Sequence, residues 1–176
     1  MVGFTVFTVF LTSAVFAVAG NSFTAIPFLD SIAITAGTVF FHLAMRLIVG
    51  ALVEALCRNR RLGNGKWFCV SEKESRFYRR IKVRKWKKHI PTYNPDTFSI
   101  EKHSLEEILQ ATCISEIVHE INIVLSFLPL IAAIPFGAFP VFLLTSLLAA
   151  GFDSLFVILQ RYNRPRLLKA IKKGRT

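Results

Sequence analysis

The sequence predicts an all-α integral membrane protein of about four transmembrane helices, joined by a cytoplasmic segment that contains an interfacial amphipathic helix. Three observations lead there. The 176 residues are 53% hydrophobic with a mean hydropathy of +0.48, more apolar than a soluble domain. The apolar residues fall into four stretches long enough to cross a bilayer. The charge is segregated: of 22 Lys and Arg, 14 lie in residues 58–102 and 7 in residues 161–175, leaving Arg46 apart. That distribution is the positive-inside pattern, with both basic blocks and both termini on the cytoplasmic side of a cell membrane. The net charge of +11 comes with no nucleic-acid recognition motif, so anionic lipid headgroups and phosphates are the expected partners rather than nucleic acid. Cys57, Cys69 and Cys113 show neither metal nor redox spacing. They imply no disulfide framework and no zinc site, and Cys113 reads as a small packing residue.

Each element follows in order. Residues 1–20 are apolar without a basic n-region and read as a retained first span rather than a signal peptide. Residues 21–30 lack Lys and Arg and form an outside loop. A second span covers about residues 31–56, completing a first unit at 1–57, and carries His42, Arg46 and Glu54. Residues 58–104 are a basic cytoplasmic unit. Its Gly63-Asn64-Gly65 run disfavours helix, whereas residues 75–89 mix five large apolar side chains with eight Lys or Arg at helical spacing, giving the amphipathic helix. Pro91 and Pro95 end it. Ser104 and Glu107 form a capping box that starts the third span, which reaches about Ile134. Pro135, Gly137 and Pro140 make an outside hairpin. The fourth span covers about residues 141–160 and holds Asp153, so 105–160 is a second membrane unit and 161–176 a basic tail suited to the membrane surface.

The stretch at residues 116–120, Glu-Ile-Val-His-Glu, sits just inside the third span. Glu116, His119 and Glu120 stand at i, i+3 and i+4 and share one helix face. Counting 1.5 Å of rise per residue, Glu54 lies roughly 5 Å, Asp153 roughly 10 Å and Arg46 roughly 15 Å from the inner ends of their spans. Three helices therefore place acids, a histidine and an arginine in the cytoplasmic third of the bilayer. Ionisable groups inside a bilayer are costly and mark functional sites. His119 is the candidate general base, with an adjacent carboxylate, Glu116 or Glu120, fixing its tautomer and stabilising the imidazolium. The competing reading is that these groups only pair between helices. It leaves open a non-enzymatic membrane scaffold or assembly protein; a small transporter is disfavoured because the outer halves of the spans hold no ionisable residue except His42. No metal site is expected.

Three stretches carry a family resemblance. They are Tyr78-Arg79-Arg80-Ile81-Lys82-Val83-Arg84-Lys85-Trp86-Lys87-Lys88-His89-Ile90-Pro91, then Thr112-Cys113-Ile114-Ser115-Glu116-Ile117-Val118-His119, and, most specific, Gln160-Arg161-Tyr162-Asn163-Arg164-Pro165-Arg166-Leu167. Over roughly residues 77–168 the chain resembles the glycosyl-diaponeurosporenoate acyltransferases, small membrane proteins of staphyloxanthin-type carotenoid biosynthesis. Ala111, Ile114 and Asp153 stand where that family usually has Glu, Arg and Asn, whereas Glu116 and His119 are retained. The resemblance implies an acyltransferase that esterifies a sugar hydroxyl of a membrane glycolipid, a glycosylated carotenoid, with a fatty acyl group. Its co-substrate would be acyl-CoA or another acyl carrier, with no bound cofactor. Arg161, Arg164, Lys87 and Lys88 suit the donor's phosphates. Tyr162 and Asn163 are candidate oxyanion donors, and Trp86, Arg46 and Asp153 complete the expected substrate-binding set.

Overall fold

The computed structural model describes residues 27–174, apart from residue 64 and residues 91–94, so the expected span at 1–20 and the break at Pro91 lie outside the described residues. Three helices among them are long and apolar enough to cross a membrane. The first, α1, runs Pro27–Cys57. At about 1.5 Å per residue its 31 residues extend roughly 46 Å, beyond the 30 Å or so of a hydrocarbon core.

Two short helices follow, α2 at Glu72–Arg80 and α3 at Val83–Trp86. Ser71 caps α2 by accepting from the Glu74 N–H at 3.2 Å, and acids in its first turn and arginines in its last complement the helix dipole. The single amphipathic helix expected over 75–89 is interrupted because Lys82 adopts a left-handed conformation, φ +53° and ψ +41°. Tyr78 and Val83 are buried in the protein while Phe77 stays exposed, so the apolar side chains do not form one continuous stripe. The Trp86 indole N–H donates to the Ile81 carbonyl across the break, at 3.0 Å.

Helix α4, Leu105–Leu125, begins with the expected capping box: Glu107 N–H donates to Ser104 Oγ and Ser104 N–H to Glu107 Oε2. A 3-10 turn at Leu128–Ala132 and α5, Ala133–Phe136, extend the apolar path. The chain then reverses at Gly137 and Ala138, with φ of +68° and +40°. The last helix, α6, is Phe139–Gly174. The basic tail is thus not a separate element. Pro165 lies inside α6 and the helix continues through it. At roughly 54 Å long, α6 can span the bilayer with about its first 20 residues and project the rest beyond.

Helices α4 and α6 form the principal pair, with α1 packed on both. The bundle is apolar on its outer surface, and polar groups share its interior with a small core of Met45, Val49 and Val53. Leu43, Leu47, Ile48 and Leu52 of α1 and Leu144, Leu147, Leu148 and Phe152 of α6 face outward, whereas Thr38, His42, Glu116, Asn122, Ser146, Asp153 and Arg164 are buried. Apolar surface outside and polar contacts between helices suit a chain whose solvent is lipid. Beyond α1, Gln110 ties the loop to α4: its amide accepts from Leu62 N–H at 2.9 Å and donates to the Cys57 and Arg60 carbonyls. Gly63 permits that approach, since a Cβ there would lie 2.9 Å from Leu109.

Candidate functional site

The depth count along the sequence is met by direct contacts. Asp153 of α6 is completely buried, and one carboxylate oxygen, Oδ2, accepts from Arg46 Nη2 of α1 at 2.5 Å. The other, Oδ1, lies 2.8 Å from His119 Nδ1 of α4. Arg46 is held in turn by the His42 carbonyl at 2.9 Å and the Ala149 carbonyl at 3.1 Å. Facing a carboxylate oxygen, Nδ1 of His119 is the donor, and in the neutral ring Nε2 then keeps its lone pair. The imidazole stacks on Phe156, with centroids 4.6 Å apart and planes 11° from parallel. Its side chain remains 19% exposed. The ring is therefore fixed on one edge and one face, with the basic nitrogen on the opposite edge.

Glu116, one turn before His119, belongs to a second network. It too is fully buried, but its Oε1 accepts from Arg161 Nη1 at 2.6 Å, and its Oε2 contacts Arg164 Nη2 at 2.5 Å in an ion pair without hydrogen-bond geometry. Arg161 also donates to both carboxylate oxygens of Glu74 in α2, at 2.5 and 3.0 Å, and to the Trp67 and Cys69 carbonyls. Arg164 donates to the Phe68 carbonyl and lies over the Phe68 ring at 4.9 Å. This cluster fastens the basic segment to α4 and α6. Outside the membrane helices it shifts two groups: burial alone would push the Glu74 carboxyl up, but hydrogen bonds from Arg161 and Tyr78 hold it below its ordinary value. Burial and then the hydrogen bond to Glu74 push the Tyr78 phenol upward.

The structure therefore sorts the expected site residues into separate places. His119, Asp153 and Arg46 come together, and the carboxylate on the imidazole is Asp153 rather than Glu116 or Glu120. Glu120 accepts instead from the exposed Trp67 indole at 2.9 Å. Arg161 and Arg164 are paired with Glu116. Tyr162 and Asn163 have contacts of their own away from His119. Tyr162 lies nine residues past Asp153, about 14 Å along α6 and half a turn around it, and its hydroxyl accepts from Arg166 Nη2 at 2.7 Å. Asn163 Oδ1 accepts from Lys87 Nζ at 3.2 Å. Trp86 is engaged with its own loop. Sequence reasoning missed Glu74, whose only signal was an acid at the start of a basic segment. It also missed Gln160, which donates to Ser115 Oγ at 3.1 Å and holds α6 to α4 between the two networks.

Outward from the Asp153 network lies a less satisfied polar layer. Both ring nitrogens of buried His42, Oδ1 of Asn122 and Oγ of Ser146 have no hydrogen-bond partner among the described residues. Asn122 is three residues beyond His119 and Ser146 seven before Asp153, so these groups extend the same inter-helix seam toward the hairpin at Gly137.

The sequence model of the family described as glycosyl-4,4'-diaponeurosporenoate acyltransferase matches residues 60–173, more than half of the chain. No curated protein and no solved structure matches it. The matched span contains His119, Asp153 and the whole Glu116 network, while Arg46 lies before it.

Proposed function

The chain belongs to the glycosyl-4,4'-diaponeurosporenoate acyltransferase family, and from that premise we propose that His119, positioned by Asp153 and Arg46, is the general base of its acyl transfer. Family membership makes the protein a membrane acyltransferase acting on a glycosylated carotenoid. In the proposed step Nε2 of His119 takes the proton of a sugar hydroxyl as that oxygen attacks the donor's acyl carbonyl carbon. The tetrahedral intermediate collapses with loss of the donor's leaving group; for an acyl thioester such as acyl-CoA the carbon–sulfur bond breaks. The imidazolium returns its proton to the departing thiolate, so the histidine ends neutral. Asp153 stabilises the positive charge that appears on the ring between these events. Phe156 prevents the ring from turning away. Arg46 engages the carboxylate oxygen that His119 does not use.

The acceptor's apolar chain fits the membrane, and its sugar would meet His119 at the edge of the apolar helices. Both termini and the basic segment 58–104 face the cytoplasm of a cell membrane in this reading, by the positive-inside distribution, and the exposed cations there bind anionic lipid headgroups.

One observation carries the reading: the 2.8 Å contact from His119 Nδ1 to a buried carboxylate whose other oxygen is held by arginine. His119→Gln keeps the side chain's polarity and removes the base. Membranes holding equal amounts of folded wild-type and variant protein should differ in acylated glycolipid by about 10²- to 10⁴-fold in initial rate, measured by mass spectrometry. Undiminished product in the variant removes His119 from the mechanism.

A further inference from the structure

A cavity of about 450 Å³ opens where α3 meets the far part of α6, lined by Arg84, Lys87, Lys88, Tyr162 and Arg166. Four of its five residues are cations and none is acidic. Two of the four are already oriented. Arg166 donates to the Tyr162 hydroxyl at 2.7 Å and lies 4.0 Å from its ring centroid. Lys87 donates to Asn163 at 3.2 Å and lies 5.5 Å from the same ring. Arg84 and Lys88 are exposed and form no ion pair among the described residues. The pattern differs from that of Arg161 and Arg164, whose charges are answered by Glu116 and Glu74. A cavity with unanswered positive charge, arranged around an aromatic ring that fixes two of its donors, is built for an anion with several acceptor oxygens.

The cavity also lies in line with the proposed base. Phe156, which stacks on His119, and Asn163, which holds Lys87, are seven residues apart. Seven residues make nearly two full turns, so both side chains leave one face of α6, separated by about 10 Å of helix rise. A donor whose phosphate occupied the cavity could lay its acyl-bearing arm along this face toward Nε2.

We propose that the pocket of Arg84, Lys87, Lys88 and Arg166 around Tyr162 is the phosphate-binding site for the acyl donor, holding the phosphate end while the acyl carbonyl reaches His119. The inference rests on His119 being the base only for the direction of the arm; the anion site can be tested without turnover. The phosphate belongs either to a soluble acyl thioester of a nucleotide or to a phospholipid that donates its acyl chain.

Both sources can be separated with full-length protein in nanodiscs. In phosphatidylcholine discs, palmitoyl-CoA binding is measured by calorimetry on His119→Gln and on His119→Gln combined with Arg84→Gln and Lys88→Gln. The added pair should raise Kd about tenfold and flatten its dependence on salt. The conservative pair Arg84→Lys and Lys88→Arg should restore binding. In discs of rising phosphatidylglycerol content, acyl transfer to a glycosylated acceptor without added thioester is compared between the wild type and Arg84→Gln/Lys88→Gln. Weakened palmitoyl-CoA binding assigns the phosphate to a soluble thioester; intact binding with loss of the phosphatidylglycerol-dependent transfer assigns it to a phospholipid donor. No change in either arm overturns the pocket and leaves the role of His119 standing. Full turnover by His119→Gln alone would instead defeat the base while leaving the binding result intact.

Discussion

Asp153 and Glu116 are both carboxylates with no exposed surface, both on helices of the α4–α6 pair, and each touches two basic side chains. They differ in what those partners are. Glu116 is held by two arginines, neither of which can give up its proton, and one of them is also bound by Glu74. Asp153 divides its oxygens between an arginine and a histidine, so one partner is fixed in charge and the other can change protonation. An arginine-only network resists change and serves architecture. A network ending in imidazole has a place where a proton can arrive, and the arginine behind it keeps the carboxylate ready.

The largest effect that tests this contrast is Asp153→Ala. A methyl group neither orients the Nδ1–H nor stabilises the imidazolium, so acyl transfer per folded molecule should fall by about 10²- to 10⁴-fold, as on loss of the base. Arg46 retains the Ala149 and His42 carbonyls as acceptors, and helix content by circular dichroism should be preserved. Near-normal transfer by folded Asp153→Ala would make the two carboxylates alike after all.

Glu116→Gln should show the opposite profile. Removing one partner from a buried ion cluster leaves Arg164 uncompensated, at a cost of about 3–5 kcal/mol. Lower melting temperature in detergent and increased proteolysis of residues 58–104 should follow, while the molecules that remain folded keep transfer rates within a few-fold of wild type. A fall in rate matching that of Asp153→Ala, without loss of stability, would move Glu116 from architecture to chemistry.

How far the sequence discloses these roles follows from the range of each interaction. The capping box at Ser104 and Glu107 is local, and its residue spacing states it in full. The meeting of Arg46 with Asp153 was legible from depth, because helical rise is constant and hydrocarbon thickness sets where spans begin. Depth cannot say which of several acids at one level faces the imidazole. Sharing a helix face put Glu116 and Glu120 beside His119 on paper, yet i, i+3 neighbours lie along the axis and each turns to the opposite charge across the interface. Arg161 and Arg164 supply that charge for Glu116 from 45 residues or more away. The continuity of α6 through Pro165 was equally hidden. Proline removes one helical N–H, and local reasoning ends or kinks a helix there. Contacts from Glu74, Glu116 and Phe68 to Arg161 and Arg164 fix the turn just before the proline. The left-handed Lys82 carries no sequence signal, because it is neither glycine nor asparagine.

A smaller effect is expected at the rim of the architectural network. Because Glu74 titrates below its ordinary value of 4.5 in the folded chain, its contribution is fully present above that value and is lost as pH falls through the depressed one. Melting temperature should therefore decline on acidification below about pH 4.5 more steeply in the wild type than in Glu74→Gln. At neutral pH the substitution should cost at most about 1 kcal/mol, since the pair with Arg161 is partly open to solvent. Identical acid profiles would show that Glu74 is not coupled to folding, and the basic segment would then be fastened without it.

The smallest change is expected at Glu120, which shares the helix face of His119 but belongs to neither network. Its contact is the indole of Trp67, a side chain 68% exposed. A single hydrogen bond open to water contributes about 0.5–1.5 kcal/mol at most, and no arginine depends on it in the way Arg164 depends on Glu116. Glu120→Gln keeps an acceptor for the indole, so both transfer rate and melting temperature should stay close to wild type, the rate within about twofold. A tenfold loss of rate with unchanged stability would mean that proximity along α4 matters more than the cross-helix contact to Asp153. The division of labour would then have to be drawn between the two ends of residues 116–120 instead of between α4's two partners on α6.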